Sequence, residues 1–515
     1  MKKTVIISAL TAVFAVLCMG GMTVGATTRN VTYDEASGKY IDAATKFAYV
    51  LDEDALTASV YGNPDGASES VSETEVGVFG PTDATVTVNG FEYGADYLVP
   101  SSVSANGKTY TVTSVAEDGF ADHRTLTGIA FESDVKIGER AFFGCASLKN
   151  LDLTGVRVIS NSAFAYTKLE TLSLPTTVES IGGGAFFYIP TLKTVNGLGA
   201  NVKYIGSNPF GGSEWFKKLD DDFVILGDGI LIKYNGSDEH VVLPSNVKGV
   251  TDAFSGNTAL TSVDMSAANV TYIGDNAFYG CHNLGSVTFP ESLVNIGDFA
   301  FASCSLLREV EFGENIESIG FCAFSSAISL QNFTCASEKL TRLGECAFWN
   351  CKSLEAATFA SSPATLDFGL FWNSGLKTFI VSGNVTTLAK GAFASVDGAR
   401  IIVPRNVVNI DGTALAGENL VIVCAPDAAA AVYGKLNFTE DGTNRVLLYG
   451  DVNGDGKVDA EDILFYLKNA ASSAEAETVA DEEASDVDLD GMRTLKDIRA
   501  MMRYLAGEEG AVVGR

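Results

Sequence analysis

The chain has 515 residues and a formal net charge of −29. Hydrophobic residues at 46% and aromatics at 10% are enough for large cores, which excludes a wholly disordered chain. The acidic balance argues against nucleic acid, because phosphate contacts need clustered Lys and Arg; it is compatible with calcium and with cationic partners.

Residues 1–26 read as an export signal. Lys2 and Lys3 give the charged start, Val5 to Met19 the apolar stretch, and "TVGA" at 23–26 the small residues before a cut. A lipid anchor at Cys18 is disfavoured, since Leu17 is too large for the residue that usually precedes a lipidated Cys. Nothing later is long and apolar enough to span a bilayer, so the mature chain is expected to be secreted, without membrane insertion. Residues 27–84 are expected to be a low-complexity and capping region: "YGNPDGASESVSETEVGVFGPTD" is rich in Gly, Ser and acid and reads as loop. "TVTVNGFEYGADYLVP" and "GKTYTVTSV" read as strands that cover the first repeat.

A repeat follows. "VKIGERAFFGCASLKNLDL" begins at Val135, "VTYIGDNAFYGCHNLGSVTFP" at Val270, "LVNIGDFAFASCSLLREVEF" at Leu293 and "LTRLGECAFWNCKSLEAATF" at Leu340. One Phe marks the register, from Phe120 and Phe142 through Phe278, Phe301 and Phe324 to Phe393. Its steps are 22 to 24 residues, with one double step of 44 between Phe210 and Phe254. A unit this short cannot bury its own apolar face, whereas stacked units cover one another. The alternating segment after the Cys reads as a half-buried strand, so a fixed period gives a parallel strand ladder. The Gly after the Ile (Gly138, Gly182, Gly206, Gly274, Gly297, Gly320, Gly344) suits a tight corner. These residues resemble the leucine-rich repeats of the BspA-like family of secreted and surface bacterial proteins, over roughly residues 85–425. The irregular piece at 214–244 also looks like the family. "NLVIVCAPDAAAAVYGKLNF" is expected to close the array with a strand and a short helix.

Eight Cys follow the signal. Cys145, Cys281, Cys304 and Cys351 lie three residues after the register Phe, and Cys322 and Cys346 two before it. In one repeat slot, Cys behaves as a small buried hydrophobe, so free thiols are expected; a bridge between stacked Cys281/Cys304 or Cys322/Cys346 stays open. Trp349 and Trp372 follow the register Phe in adjacent repeats. They should stack at about 5 Å, as a ligand platform or against the next coil. Catalysis finds little support. The only histidines are His123, His240 and His282, and no nucleophile, zinc or phosphate-loop motif accompanies them.

Near the end stands "GDVNGDGKVDAEDIL" (450–464). With Asp451 at position 1 of a twelve-residue loop, Asn453, Asp455, Lys457, Asp459 and Asp462 fall at 3, 5, 7, 9 and 12, and Gly456 at the sharp turn. Calcium takes six to eight oxygens, and Lys457 would give only its backbone carbonyl. Thirty-five residues on, Asp486, Asp488, Asp490, Met492, Thr494 and Asp497 repeat the slots, with Gly491 at 6. A helix is expected after each loop. This duplicated module resembles a type I-like dockerin over about 447–507. The resemblance implies two calcium ions and a cohesin module of a scaffolding protein as partner. It carries partner-choosing positions onto Ala460, Glu461, Leu467 and Lys468 in the first half, and Leu495, Lys496, Met502 and Arg503 in the second. Because the halves do not match, a single docking orientation is expected.

The expected fold is a mainly β solenoid of leucine-rich repeats plus a small α-helical calcium-binding dockerin domain. The divisions are signal 1–26, N-terminal region 27–84, solenoid 85–436, flexible linker 437–446, dockerin 447–507 and tail 508–515. The expected function is non-catalytic: a secreted recognition arm of unknown polysaccharide or protein ligand, docked through calcium onto a cellulosome-type scaffoldin at the cell surface. A host- or microbe-directed adhesin and a polysaccharide-active enzyme with an unrecognised site are the alternatives.

Overall fold

The computed structural model describes residues 28–34, 39–42, 48–52, 57–61, 96–106, 108–438, 443–453, 455–471, 487 and 495–508. The signal at 1–26, the Gly/Ser/acid-rich stretch at 62–83 and residues 85–95 of the expected capping strands lie outside them. The chain divides into two compact units, residues 1–235 and 236–515, and each contains a parallel β-solenoid.

In the first unit, Thr28–Asp34, Lys39–Asp42, Ala48–Asp52 and Thr57–Tyr61 form an antiparallel sheet. Thr57–Tyr61 then pairs in parallel with Lys108–Val115, which starts the solenoid ladder through Lys136–Ile137, Val158–Ile159, Ser180–Ile181 and Tyr204–Ile205. The cap is therefore built from much earlier residues than "GKTYTVTSV" and its upstream neighbour alone. The piece after Phe210 holds a one-turn helix, α1 (Glu214–Lys217), whose first turn is capped by Ser213 Oγ accepting from Phe216 N at 3.1 Å. An antiparallel hairpin, Phe223–Leu226 with Ile230–Tyr234, follows.

In the second unit each regular turn makes two strands, where the sequence pattern showed one. Ile273, Ile296, Ile319 and Leu343 pair in register along the first ladder. Val310, Phe333 and Ala357 do so along the second. The first-ladder strands are only two residues long, too short for alternation to reveal.

Between the ladders the backbone turns through the left-handed region at Asn276 (φ 58°), Phe299 (56°), Cys322 (51°) and Cys346 (55°). The sequence reading placed this turn at the preceding Gly. Gly297 is bare for another reason: a Cβ there would lie 2.5 Å from Asp275 N of the previous turn.

The register Phe rings form stacks inside each unit. Phe120, Phe142, Phe164, Phe186 and Phe210 are spaced 5.0–5.5 Å between centroids. Phe254, Phe278, Phe301, Phe324, Phe348, Phe371 and Phe393 are spaced 5.0–5.6 Å. Their near-parallel planes follow from the backbone, because Phe N–H groups donate to the next turn, as in Phe278 N to Ala300 O (2.8 Å) and Phe301 N to Ala323 O (2.7 Å).

At the C-terminal end, Val421–Cys424 and α2 (Ala429–Asn437) close the turn as expected. The next segment departs from the reading. Arg445–Leu448, placed across the flexible linker and dockerin start, is a strand in parallel register with Val421–Cys424. It adds another rung to the sheet, and its apolar Val446, Leu447 and Leu448 give the physical reason. The last elements are α3 (Ala460–Ala471) and α4 (Leu495–Leu505).

Phe301→Ala should remove a fully buried ring held between Phe278 and Phe324, destabilising the second unit by about 3–5 kcal/mol in denaturant unfolding. The exposed Tyr279→Ala should cost less than about 0.5 kcal/mol. Equal losses would contradict the stacking account.

Candidate calcium loops and docking face

The first loop begins at Asp451, three residues beyond the end of the last solenoid strand at Leu448. Asp451 N donates to Leu448 O at 3.0 Å, and Gly450 (φ 92°) makes the bend. The loop then curls on its own side-chain oxygens. Gly456 N donates to Asp451 Oδ2 (2.9 Å), Asp455 N to Asn453 Oδ1 (2.9 Å), Lys457 N to Asp455 Oδ1 (3.0 Å) and Glu461 N to Asp459 Oδ1 (2.8 Å). Gly456 takes the left-handed conformation (φ 81°) that the sharp turn at position 6 requires.

Asp462 closes the loop. Its Oδ1 accepts from Val452 N (2.7 Å) and Asn453 N (3.1 Å), and its Oδ2 from Asp459 N (2.8 Å). Its carboxyl is pushed up from the usual carboxylate range by burial, against the pull of these three donors. Asp451 is buried as well. Buried carboxylates on a curl of further oxygens are a donor set suited to a hard divalent cation, so the residues fit calcium. Asp451, Asn453, Asp455, Asp459, Asp462 and the Lys457 carbonyl would hold it. Among the described residues, no three His, Cys, Asp or Glu side chains already converge as a metal cluster.

Of the second loop, Asp486, Asp488, Asp490, Met492 and Thr494 lie outside the described residues. Its closing residue is described and mirrors the first. Val487 N donates to buried Asp497 Oδ1 at 2.7 Å, matching Val452 and Asp462 thirty-five residues earlier. Tyr466 OH of α3 reaches Asp497 Oδ2 at 3.4 Å, tying the halves together.

The helices each split into two sides. Tyr466 of α3 and Ile498 and Met501 of α4 are buried, whereas Leu464, Leu467, Met502 and Leu505 are exposed. On α4, therefore, Ile498 and Met501 pack inward while Met502 and Leu505 face solvent. The sequence reading marked Leu467 and Met502 as docking residues and passed over Leu464 and Leu505. Their i, i+3 spacing to the marked pair was the available signal. Ala460, Glu461, Lys496 and Arg503 are also exposed. Glu508 clasps the Arg503 guanidinium (Nε to Oε2 2.7 Å, Nη2 to Oε1 2.9 Å), which holds it further above its already high range. The side chains of Lys468 and Leu495 lie outside the described residues.

The remaining candidates resolve differently. Trp349 and Trp372 are both partly exposed, but among the described residues they make no ring contact with each other. Trp372 sits edge-on to Phe368 (5.9 Å), and its ring would lie 3.4 Å from a Cβ on Gly391 in the next turn. The stacked platform is replaced by packing over bare glycines. All eight described Cys are free thiols. The Sγ atoms of Cys145, Cys281, Cys304 and Cys351 donate to Phe120, Phe254, Phe278 and Phe324 O of an earlier turn at 3.0–3.2 Å. Burial pushes Cys145, Cys281 and Cys351 up to about 12, which leaves them inert. His240 Nδ1 contacts Ser262 Oγ (2.8 Å) and His282 Nδ1 contacts Ser303 O (2.9 Å), each at its own place on a turn.

The fold and loops define a leucine-rich solenoid with a small terminal module of loops and helices whose first loop fits calcium. Comparison with known families agrees. The BspA type Leucine rich repeat region matches in six copies over residues 104–217, 233–338 and 294–422, more than half of the chain, and the chain belongs to that family. The type I dockerin domain matches residues 449–506. No curated protein matches the chain.

Among solved structures, a leucine rich cell surface protein from Faecalibacterium prausnitzii A2-165 is 22% identical over 66% of this chain and 97% of its own, with a TM-score of 0.29. A leucine-rich repeat protein from Bacteroides ovatus is 19% identical over 78% and 98%, with a TM-score of 0.31. The pneumococcal vaccine antigen PcpA is 18% identical over 82% and 99%, with a TM-score of 0.30. Type I dockerins are in general calcium-binding modules whose partner is a cohesin, and proteins with either domain are typically extracellular. No helix among the described residues is long and apolar enough to cross a membrane.

Asp462→Ala should abolish calcium binding by the first loop, seen as the loss of one step in a calorimetric titration of the full chain. An unchanged titration would place the ion elsewhere.

Proposed function

We propose that this chain is a non-catalytic, exported binding protein whose dockerin, loaded with two calcium ions, plugs a leucine-rich recognition arm onto a cohesin-bearing scaffoldin of the cellulosome type. The observation that carries this reading is the pair of exposed apolar steps on the two loop-following helices, Leu464/Leu467 on α3 and Met502/Leu505 on α4. Exposed leucine and methionine next to charged Glu461, Lys496 and Arg503 make an apolar centre with a polar rim, the anatomy of a protein-binding patch. Each step stands directly after a loop closed by a buried Asp, so calcium would set the direction in which its helix leaves the loop.

Both halves keep their apolar step exposed, but their flanking residues differ: Ala460 and Glu461 against Lys496, with Arg503 engaged by Glu508. A cohesin that reads the charged rim would therefore distinguish the two halves and bind in one orientation. The arm's ligand is a polysaccharide or a protein, and attachment to the cell surface runs through the scaffoldin.

The test uses the full chain with Leu467 and Met502 both changed to Asp. Against a panel of cohesins in calcium, the variant should bind at least roughly 100-fold more weakly, as expected for loss of central apolar anchors. Its calcium titration should be unchanged. Undiminished cohesin binding would overturn the assignment of this face.

A further inference from the structure

We propose that the dockerin is also the C-terminal cap of the solenoid, and that calcium held by residues 451–462 governs the order of the solenoid's last turns. The proposal rests on the calcium-loop reading but not on cohesin docking.

The first observation is a change of pattern on the outer face of the second ladder. In-register pairing places Glu311, Thr334 and Thr358 in one row. The pairing of Ala356 with Thr378 sets the register that carries this row on to Ile380, and from there it runs through Ile402, Val423 and Leu447. Its polar members suit a face turned to water. Its last four are apolar, and an apolar outer face at the end of a repeat array needs a cover. Burial shows where the cover begins: Ile380 is 48% exposed, Ile402 is 2% and Val423 is 0%.

The second observation is what lies on them. Tyr449, Val452, Tyr466, Val487, Ile498 and Met501 form one core with Ile402 and Val423. Five of these six come from the two loops and the two helices, and Tyr449 stands between the last solenoid strand and the first loop. The inward sides of α3 and α4 thus meet the solenoid, while Leu467 and Met502 on their other sides stay exposed. Beside this core, Tyr504 of α4 lies near the Arg405–Asp427 ion pair (2.9 Å) of the last turns.

The third observation links the joint to the metal loop. Val452 has its side chain buried in the shared core and its N–H on Asp462 Oδ1, the position-12 oxygen. One residue earlier, Asp451 joins the loop by its carboxylate and the last solenoid strand by its N–H, which donates to Leu448 O. Opening the loop would release Val452 from the core and Leu448 from its bend. Leu448 pairs with Cys424, so the release would reach Val421–Cys424 and then Arg400–Val403. In a stacked array, stability passes between nearest neighbours, so calcium that closes the loop would protect these rungs.

Hydrogen exchange on the full chain, with calcium and with chelator, tests this, alongside a calcium titration by calorimetry. Amides of 401–403 and 422–424 should exchange at least about tenfold more slowly in calcium, while those near 295–319 should not change. The paired variant Ile402→Thr, Val423→Thr places at these positions the residue that earlier turns carry in the same row, so the solenoid can fold. It should still bind calcium but lose the calcium-dependent protection at 401–403 and 422–424. Protection there that ignores calcium while calcium binds would overturn the proposal, and so would a chain that binds no calcium. Failure to bind any cohesin would overturn the docking assignment alone.

Discussion

The structure depends on one constraint: a turn of 22 to 24 residues cannot bury its own apolar face and must place it against the next turn, at about one strand spacing. Everything in the repeat serves that approach. The Phe rings stack because the backbone hydrogen bonds that hold them repeat at the same spacing, as with Phe278 and Phe301. Gly297 is bare because the backbone of the previous turn fills the place of its Cβ. The slot cysteines are small enough to fit and give their one weak donor to a carbonyl of an earlier turn, which accounts for their free thiols.

The same constraint creates two problems at the ends, and they are met differently. At the start, antiparallel strands from 28–61 extend the sheet beyond the first repeat. At the finish, one further parallel strand is added and the outer face changes from Thr to Ile and Val, which the two calcium-loop helices cover. The module that resembles a plug for a partner is thus built into the array. Its inward side packs on the solenoid, and its outward side keeps Leu467 and Met502 exposed. A recognition arm fixed to its plug without a slack joint would be presented to its ligand in a direction set by the scaffold.

How much of this was legible in the sequence follows from what each feature leaves behind. The Phe period recurs at a fixed distance, so the solenoid could be read directly, and the thirty-five-residue repeat of the loop acids marks the matching closing residues Asp462 and Asp497. The first strand ladder leaves only two residues per turn, and the left-handed turn falls on Asn276 in one turn but on Phe299, Cys322 and Cys346 in others, residue types that do not favour that region. The joint was misread because "NFTEDGTNRVLLYG" opens with turn-forming and charged residues, and the apolar "RVLL" was taken with them. Its partner row, Ile380, Ile402 and Val423, is visible only once the pairing register is known. The Trp349 and Trp372 pair failed for a related reason. Equal repeat positions fix the backbone, but Trp372 follows the open space above Gly391 instead of its counterpart.

The central claim is that calcium converts the C-terminal module of the intact chain into a cohesin-binding plug. The most direct measurement is the affinity of the unmodified full-length chain for a panel of cohesins, taken in calcium and again after chelation. The account predicts tight binding to at least one cohesin in calcium and its loss on chelation, restored when calcium returns. Binding that survives chelation, or no binding to any cohesin by a chain whose loops are loaded, would contradict it.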